Sequence, residues 1–380
     1  LAVRARSKDG KHWLRQIGLA LLVSRGSQIP LFYREYEGNC HDSKLFSRLL
    51  QEIIEALRSL NRDSQDLTMV IDKGMNSQAN MEFLDQEEGV HFITTYTPAF
   101  AESLVNKDLD AFTPVDTPKN RKLAQKGREE DRIVAWRTSE EFWGQQRTVV
   151  VTYNPRADAK QRYNFEKKLN RLHDGLKEIR SKVRAGKKHW TSKQQVLQRY
   201  KELCESLYLP QDLYNLDFEK TGDRLKLYFR KDHYRIRKRI ARMGKNIIVT
   251  SHHDWSTDAI VKASLDRYQV EDAFRQSKAG EFGNFRPIWH WTDSKIRCHI
   301  LSCVIALTYL RLIRLWLDRA GVDCTADKAM RTMRDLSSCL CWHSGKKKPT
   351  RLIEEPTPEQ AEILSAIGYK VENGVLQPLE

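Results

Sequence analysis

Apolar positions recur along the chain in blocks of two kinds, one with strand character and one with helix character. Leu14 to Ser24 is an apolar, β-rich run, and Pro30 to Tyr36 alternates, which predicts two strands joined at a Gly26-Ser27 turn. Leu45, Leu49, Ile53, Leu57 and Leu60 then recur at helical spacing behind Asp42 or Ser43, either of which suits an N-cap. Leu67 to Ile71 predicts a short strand ending in Asp72. Lys73-Gly74 turns the chain into a helix capped by Asn76 or Ser77 and running to about Gln86, and His91 to Tyr96 is a further strand. The order strand, strand, helix, strand, helix, strand implies a mixed sheet with helices packed on it.

From about Pro98 the pattern changes. Ile133 to Trp136 and Arg147 to Tyr153 predict a β-hairpin. Phe165, Leu169, Leu172, Leu176, Ile179 and Val183 form a heptad seam, Ala185 to Ser192 breaks it, and Val196, Tyr200, Leu203 and Leu207 carry a second seam. The simplest object is an antiparallel helical hairpin. A second β-hairpin, Leu216 to Phe229, turns at Thr221-Gly222-Asp223. The α/β pattern returns with a strand at Asn246 to Thr250 and one helix over Asp258 to Lys278, capped by Ser256 or Thr257. Another helix spans roughly Asp293 to Leu317. The polar tail from Gly321 contains Lys346-Lys347-Lys348-Pro349 and closes on a short helix capped at Thr357. The expected organisation is one α/β domain in two parts, residues 1–98 and 244–317, split by an insertion at 99–243 and followed by a tail at 318–380.

Composition sharpens this picture mainly through charge. Hydrophobic content of 40% is that of an ordinary folded protein, but 65 Lys+Arg against 50 Asp+Glu leave +15, with a pI near 9.4. Such an excess favours a polyanionic partner, nucleic acid or an anionic membrane surface. Between Pro155 and Glu205 there are fifteen Lys+Arg against six Asp+Glu, so the helical hairpin alone holds +9. The longest apolar run, Ile300 to Leu310, is too short to span a bilayer and reads as a core helix; no membrane partner is expected. Seven scattered cysteines fit no zinc knuckle and suit a reducing cytoplasm, with Cys298 and Cys303 read as buried thiols.

Two places carry candidate chemistry. On a helix, Arg267, Glu271, Arg275 and Lys278 share one face. A carboxylate among cations on one stripe suits a metal ion working beside a phosphate backbone; an exposed helix laced with i,i+4 ion pairs is the plainer alternative. Asp72, at the carboxyl end of a buried strand and followed by Gly74, is well placed to hold a divalent cation, although an Asp-Lys-Gly turn also accounts for it. Carboxylates converging from a strand end and a helix can hold two Mg²⁺ ions for in-line attack on phosphorus. No GxxxxGK[ST] loop, nucleophile elbow, HExxH or GxGxxG competes as a site, and His252-His253-Asp254 reads as a solvated loop.

With these residues in place, the chain resembles the DDE transposases of bacterial insertion sequences, in the subgroup with an insertion before the Glu and a Tyr-Arg-Glu-Lys signature. Arg267, Glu271 and Lys278 match that signature in identity and spacing, while the Tyr position is Ser264 and Tyr268 lies one turn on. Asp72 in VIDKGM matches the family's second Asp, and SKDGKH (Ser7–His12), EGNCHD (Glu37–Asp42) and RPIWHW (Arg286–Trp291) are family-like stretches. The likeness covers about residues 1 to 316. It implies an RNase H-like α/β fold, a mixed sheet with flanking helices interrupted by a mixed β-hairpin and helical-hairpin insertion. It further implies Asp72 and Glu271 as catalytic metal ligands for two Mg²⁺ (or Mn²⁺) ions, with Arg267, Lys278 and Arg275 on DNA.

The function expected from the resemblance is DNA transposition: cleavage at the element's terminal inverted repeats and strand transfer to target DNA by a cytoplasmic, nucleoid-associated homodimer. The family's first Asp sits on a first strand upstream of the SKDG-like segment, and the chain begins six residues before Ser7. Asp9 and Asp42 are poor substitutes for it. The expectation is therefore a transposase lacking its N-terminal part, with the first strand missing, that does not catalyse alone. The alternatives are a catalytically dead DNA-binding remnant and an RNase H-like nuclease.

Overall fold

The computed structural model describes residues 1–4, 13–40, 42–60, 66–221, 224–279, 281–342, 344–345 and 348–379. The SKDGKH stretch with Asp9, the tip of the second β-hairpin and Lys346-Lys347 lie outside these residues. In chain order, β1 (Val3–Arg4), β2 (Arg15–Val23) and β3 (Pro30–Glu37) are followed by α1 (Asp42–Leu60), β4 (Leu67–Ile71), α2 (Gln78–Gln86) and β5 (Val90–Tyr96). Next come α3 (Glu102–Val105), β6 (Thr113–Pro114), α4 (Pro118–Gln125), β7 (Val134–Phe142), β8 (Gln145–Tyr153), α5 (Pro155–Arg184) and α6 (Lys193–Leu207). Then β9 (Tyr214–Thr221), β10 (Arg224–Lys231), α7 (His233–Ile240), β11 (Lys245–Thr250), α8 (Thr257–Leu265), α9 (Tyr268–Ala279) and α10 (Asp293–Arg319). The tail adds α11 (Ala326–Arg334), β12 (Ser338–Cys341), β13 (Thr350–Ile353), α12 (Pro358–Ala366), β14 (Tyr369–Glu372) and β15 (Val375–Pro378).

The chain divides into two compact units, residues 68–264 and residues 1–67 with 265–380. The first of these is built on a six-stranded sheet in the order β4-β5-β11-β8-β7-β6. Neighbours β4 and β5 are joined through α2, the strand–helix–strand connection that parallel pairs need, while β11 runs antiparallel to both β5 and β8. The two central strands are apolar without alternation because both faces are covered. Val150 and Ile248 pair with each other and join Ile93, Ile260 and Val261 on one face. Val149, Val151, Ile247 and Val249 meet Leu104, Val105 and Phe112 on the other.

Within the same unit, α5 and α6 form the predicted helical hairpin. All six residues of the first seam are buried; of the second, Val196 and Tyr200 are buried and Leu203 and Leu207 half-buried, while Cys204, outside the predicted seam, is buried beside them. Its outer end rests on the β9–β10 ribbon through Leu227, Phe218 and Leu225. Pro at the first turn and Asn154, whose side chain accepts the Ala157 amide at 3.2 Å, fix where α5 starts.

In the other unit, β1, β2 and β3 form an antiparallel sheet on which Ile17, Leu19 and Tyr33 pack against Ile296, Ile300 and Val304 of α10. Gly18 pairs with Tyr36, whose ring occupies the place of a Cβ. The expected mixed sheet is the six-stranded one, and among the described residues β1, β2 and β3 form a separate antiparallel ladder beside their own helix. By length and hydropathy alone α10 is apolar enough to cross a membrane, yet its inner side is the core of this unit, and Cys303 is buried there while Cys298 is exposed. The tail is more structured than its polarity suggests. Ala329 of α11 and Ile363 of α12 close a small core on Leu317, and Thr357 forms the predicted capping box with Gln360.

Candidate active site

Asp72 follows directly on β4, with Ile71 buried and Asp72 exposed. The Met75 amide donates to the Asp72 carbonyl at 2.9 Å and closes the turn. Side chains hold that turn from below: buried Asn80 donates its Nδ2 to the Met75 carbonyl at 2.6 Å, and Asn76 donates to the Thr95 carbonyl on β5 at 3.0 Å. Ser77 caps α2 by accepting the Asn80 amide. A Cβ on Gly74 would meet only the Asp72 carboxylate, at 3.9 Å, so the mouth of the turn is open. Behind it, Arg147 pairs with Asp85 of α2 and lies over the Phe92 ring, fixing the helix to the sheet. An exposed carboxylate on a braced backbone is what a metal ligand requires, and it equally fits a plain turn.

His252 departs from expectation. It is 5% exposed, with its ring stacked between those of His91 and Trp255 at 4.2 and 4.0 Å, and Thr68 Oγ1 is 2.8 Å from its Nε2. It is a packing histidine beneath the sheet end. His253 and Asp254 beside it are exposed, as predicted.

In the other unit, Glu271 occupies the first turn of α9, where the helix dipole favours a carboxylate. The single helix expected over residues 258–278 is broken at Asp266-Arg267. The reason lies in the apolar phase. Ile260, Val261 and Ala263 face inward on α8, and Gln269, Ala273 and Ser277 on α9. On one continuous helix these sets would point to nearly opposite sides. The β2–β3 turn fastens the break: Arg25 Nε donates to Asp266 at 2.7 Å and the Gly26 amide to Gln269 Oε1 at 2.9 Å. Glu271, Arg275 and Lys278 do share the exposed side of α9, but Arg267 sits in the turn before it.

Arg275 pairs at i,i+3 rather than at the i,i+4 spacing of the plainer alternative. Arg275 donates to Asp272 at 2.7 Å, and Asp272 accepts a second bond from Arg311 of α10 at 3.1 Å. Lys278 lies over the Phe274 ring at 5.6 Å. Asp272, Arg275, Arg311 and Arg314 line a cleft of about 820 Å³. Arg311 is 8% exposed and its Nε has no hydrogen-bond partner. Sequence reading missed Arg311; its one signal is an arginine inside an otherwise apolar helical stripe.

The donors present are hard carboxylate oxygens, the type that suits Mg²⁺ or Mn²⁺. Among the described residues no group of three or more His, Cys, Asp and Glu side chains comes together as a metal site. Asp72 and Glu271 belong to different compact units. Of the predicted set, the structure brings Glu271, Arg275 and Lys278 onto one surface, with Arg267 one turn away in sequence.

A family model described as a transposase DDE domain matches residues 2–309. No curated protein matches the chain.

Proposed function

The chain belongs to the DDE transposase family, and on that premise we propose that it cuts DNA at the ends of an insertion sequence and joins those ends to target DNA. The family is one of DNA phosphoryl-transfer enzymes that use divalent metal ions, and the α/β sheet with flanking helices is consistent with its RNase H-like fold. Residues 99–243 are read as an insertion between the two parts of the catalytic domain, and a homodimer as the synaptic form.

The observation that carries the assignment to residues is the exposed side of α9, where Glu271 shares a surface with Arg275 and Lys278. Asp72 and Glu271 are proposed as ligands for two Mg²⁺ ions. When bound, such ions would activate the attacking hydroxyl and stabilise the leaving oxygen. The chain's own part is to orient and to hold. The bonds from Asn80 and Asn76 keep the Asp72 turn in place, and Asp272 keeps α9 on α10. Lys278 and Arg267 would hold phosphates near the cleavage point, with Arg275 beside them.

The test is nicking and strand joining on supercoiled plasmid in Mg²⁺ or Mn²⁺ by a full-length version of the protein. Asp72→Asn and Glu271→Gln should each abolish joined product while duplex binding stays within about twofold of the parent. Retained cleavage in either variant sinks the site assignment. A second reading is a DNA-binding protein that no longer cuts, favoured by Ser264 at the signature's Tyr position. Binding without any cleavage in either metal would select it, and cleavage with no preference for element ends would select an RNase H-like nuclease.

A further inference from the structure

Residues 155–245 contain 26 Lys+Arg against 11 Asp+Glu, a net +15, which is the whole formal charge of the chain; the other 289 residues balance at 39 against 39. Cations on a protein surface are commonly neutralised on the spot, and much of this segment follows that habit. Arg162 is held by Asp158, Lys177 by Asp174, Arg199 by Glu202 and Lys201 by Glu205. Lys168, Arg180, Lys182 and Lys193 lie over the rings of Tyr208, Phe229, Trp190 and Phe218.

One flank does not. Arg156, Lys160, Lys167 and Arg171 of α5 are exposed, and none makes an ion pair or hydrogen bond among the described residues. Their spacing of four, seven and four residues places them along one side of the helix, with exposed Tyr163 beside them, away from the buried Phe165, Leu169 and Leu172. Within this span Asp158 is buried, and Glu166 lies roughly a third of a turn to the side. Like charges four apart weaken a helix, and Arg156/Lys160 and Lys167/Arg171 are both such pairs. The free protein therefore carries an uncompensated repulsion on a helix whose other side is locked by its seam.

We propose that this flank of α5 is a docking surface for the phosphate backbone of duplex DNA, with Arg156, Lys160, Lys167 and Arg171 as phosphate contacts. The four cations span ~22 Å of helix, about two-thirds of a ~34 Å duplex turn, so a straight rigid rod presents them to several phosphates at once. Tyr163 adds a hydroxyl of the kind that bonds phosphate oxygens. Contacts of this class position a duplex and carry no sequence information, so the surface serves element ends and target DNA alike. The inference rests on the DNA-acting reading above and adds where on the chain the duplex is held.

The experiment is fluorescence anisotropy of a ~30-base-pair duplex over ~50–200 mM salt. The Lys160→Gln/Lys167→Gln/Arg171→Gln variant should make the slope of log affinity against log salt shallower by about 3 and weaken binding on the order of 30-fold. A charge-matched control, Lys177→Gln/Arg199→Gln/Lys201→Gln, removes paired cations and should stay within about threefold of the parent. If the parent binds and the stripe variant keeps its slope, or if both variants lose equally, the docking surface is wrong while the DNA-acting reading stands. If the parent binds no duplex, the DNA-acting reading fails and takes the surface with it. Preference of the parent for phosphatidylserine vesicles over duplex, lost in the stripe variant, overturns the proposal in favour of a membrane. Should the triple variant fail to fold by circular dichroism, Lys160→Gln and Lys167→Gln alone should each lower the slope by about 0.9, and no change in either overturns it.

Discussion

At the scale of single residues, the side chains that matter most for the α9 surface are the ones behind it. Asp272 is the neighbour of Glu271 and accepts from both Arg275 and Arg311. Arg311 is buried, so removing Asp272 leaves its guanidinium with no carboxylate on either Nε or Nη2. Asp272→Ala should cost about 1–3 kcal/mol, the range for stranding a buried polar partner when the other member is itself partly solvated. Urea denaturation measures it, and Asp272→Asn should recover part of the loss. None of this was legible from sequence. Asp272 and Arg275 are three apart on a helix and Glu271 and Arg275 four, so spacing allowed either pair. What decided between them was Arg311, which arrives from α10, thirty-nine residues on.

Elements show where sequence reading succeeds and why it stops. The first seam of the α5–α6 hairpin is legible because local repetition specifies which residues face inward, while the second seam is legible only at Val196 and Tyr200 and misses buried Cys204. The α8–α9 break was not legible, since nothing in Leu265-Asp266-Arg267 is a helix breaker and the cause is tertiary: two burial directions and a fastening from the β2–β3 turn. In the tail, α11 and the short hairpins are polar enough to pass for loop until Leu317, Ala329 and Ile363 are seen to share a core. One prediction belongs to the helical hairpin as an element. His173 of α5 stands beside Tyr214 and Phe229, and burial, with Lys177 and Lys231 nearby, lowers its pKa from the ordinary 6.5, Asp174 opposing. The unfolded chain thus takes up this proton at higher pH than the folded one. The stability it confers is present above about pH 6.5 and is lost as pH falls toward the folded value. Thermal melts between pH ~7.5 and ~5.5 should show the parent losing more stability than His173→Gln across that window.

For the whole molecule, spacing placed Asp72 at a strand end and Glu271 on a helix, while their division between two compact units was invisible to any local pattern. The strand order was recoverable only in part. Alternation predicts that a strand exists but not which neighbour it takes, and so the ladder of β1, β2 and β3 was not told apart from the six-stranded sheet. The segregation of charge has a consequence in time rather than in affinity. A chain whose entire +15 lies in residues 155–245 feels a torque as well as a pull when it nears a polyanion. Residues 155–245 are turned forward before any contact forms, so fewer collisions are wasted on wrong orientations. Stopped-flow association with duplex DNA should then be fast at low salt and slow by at least about tenfold as salt screens the field, with the dissociation rate changing less. Such a protein would find DNA by arriving already facing it.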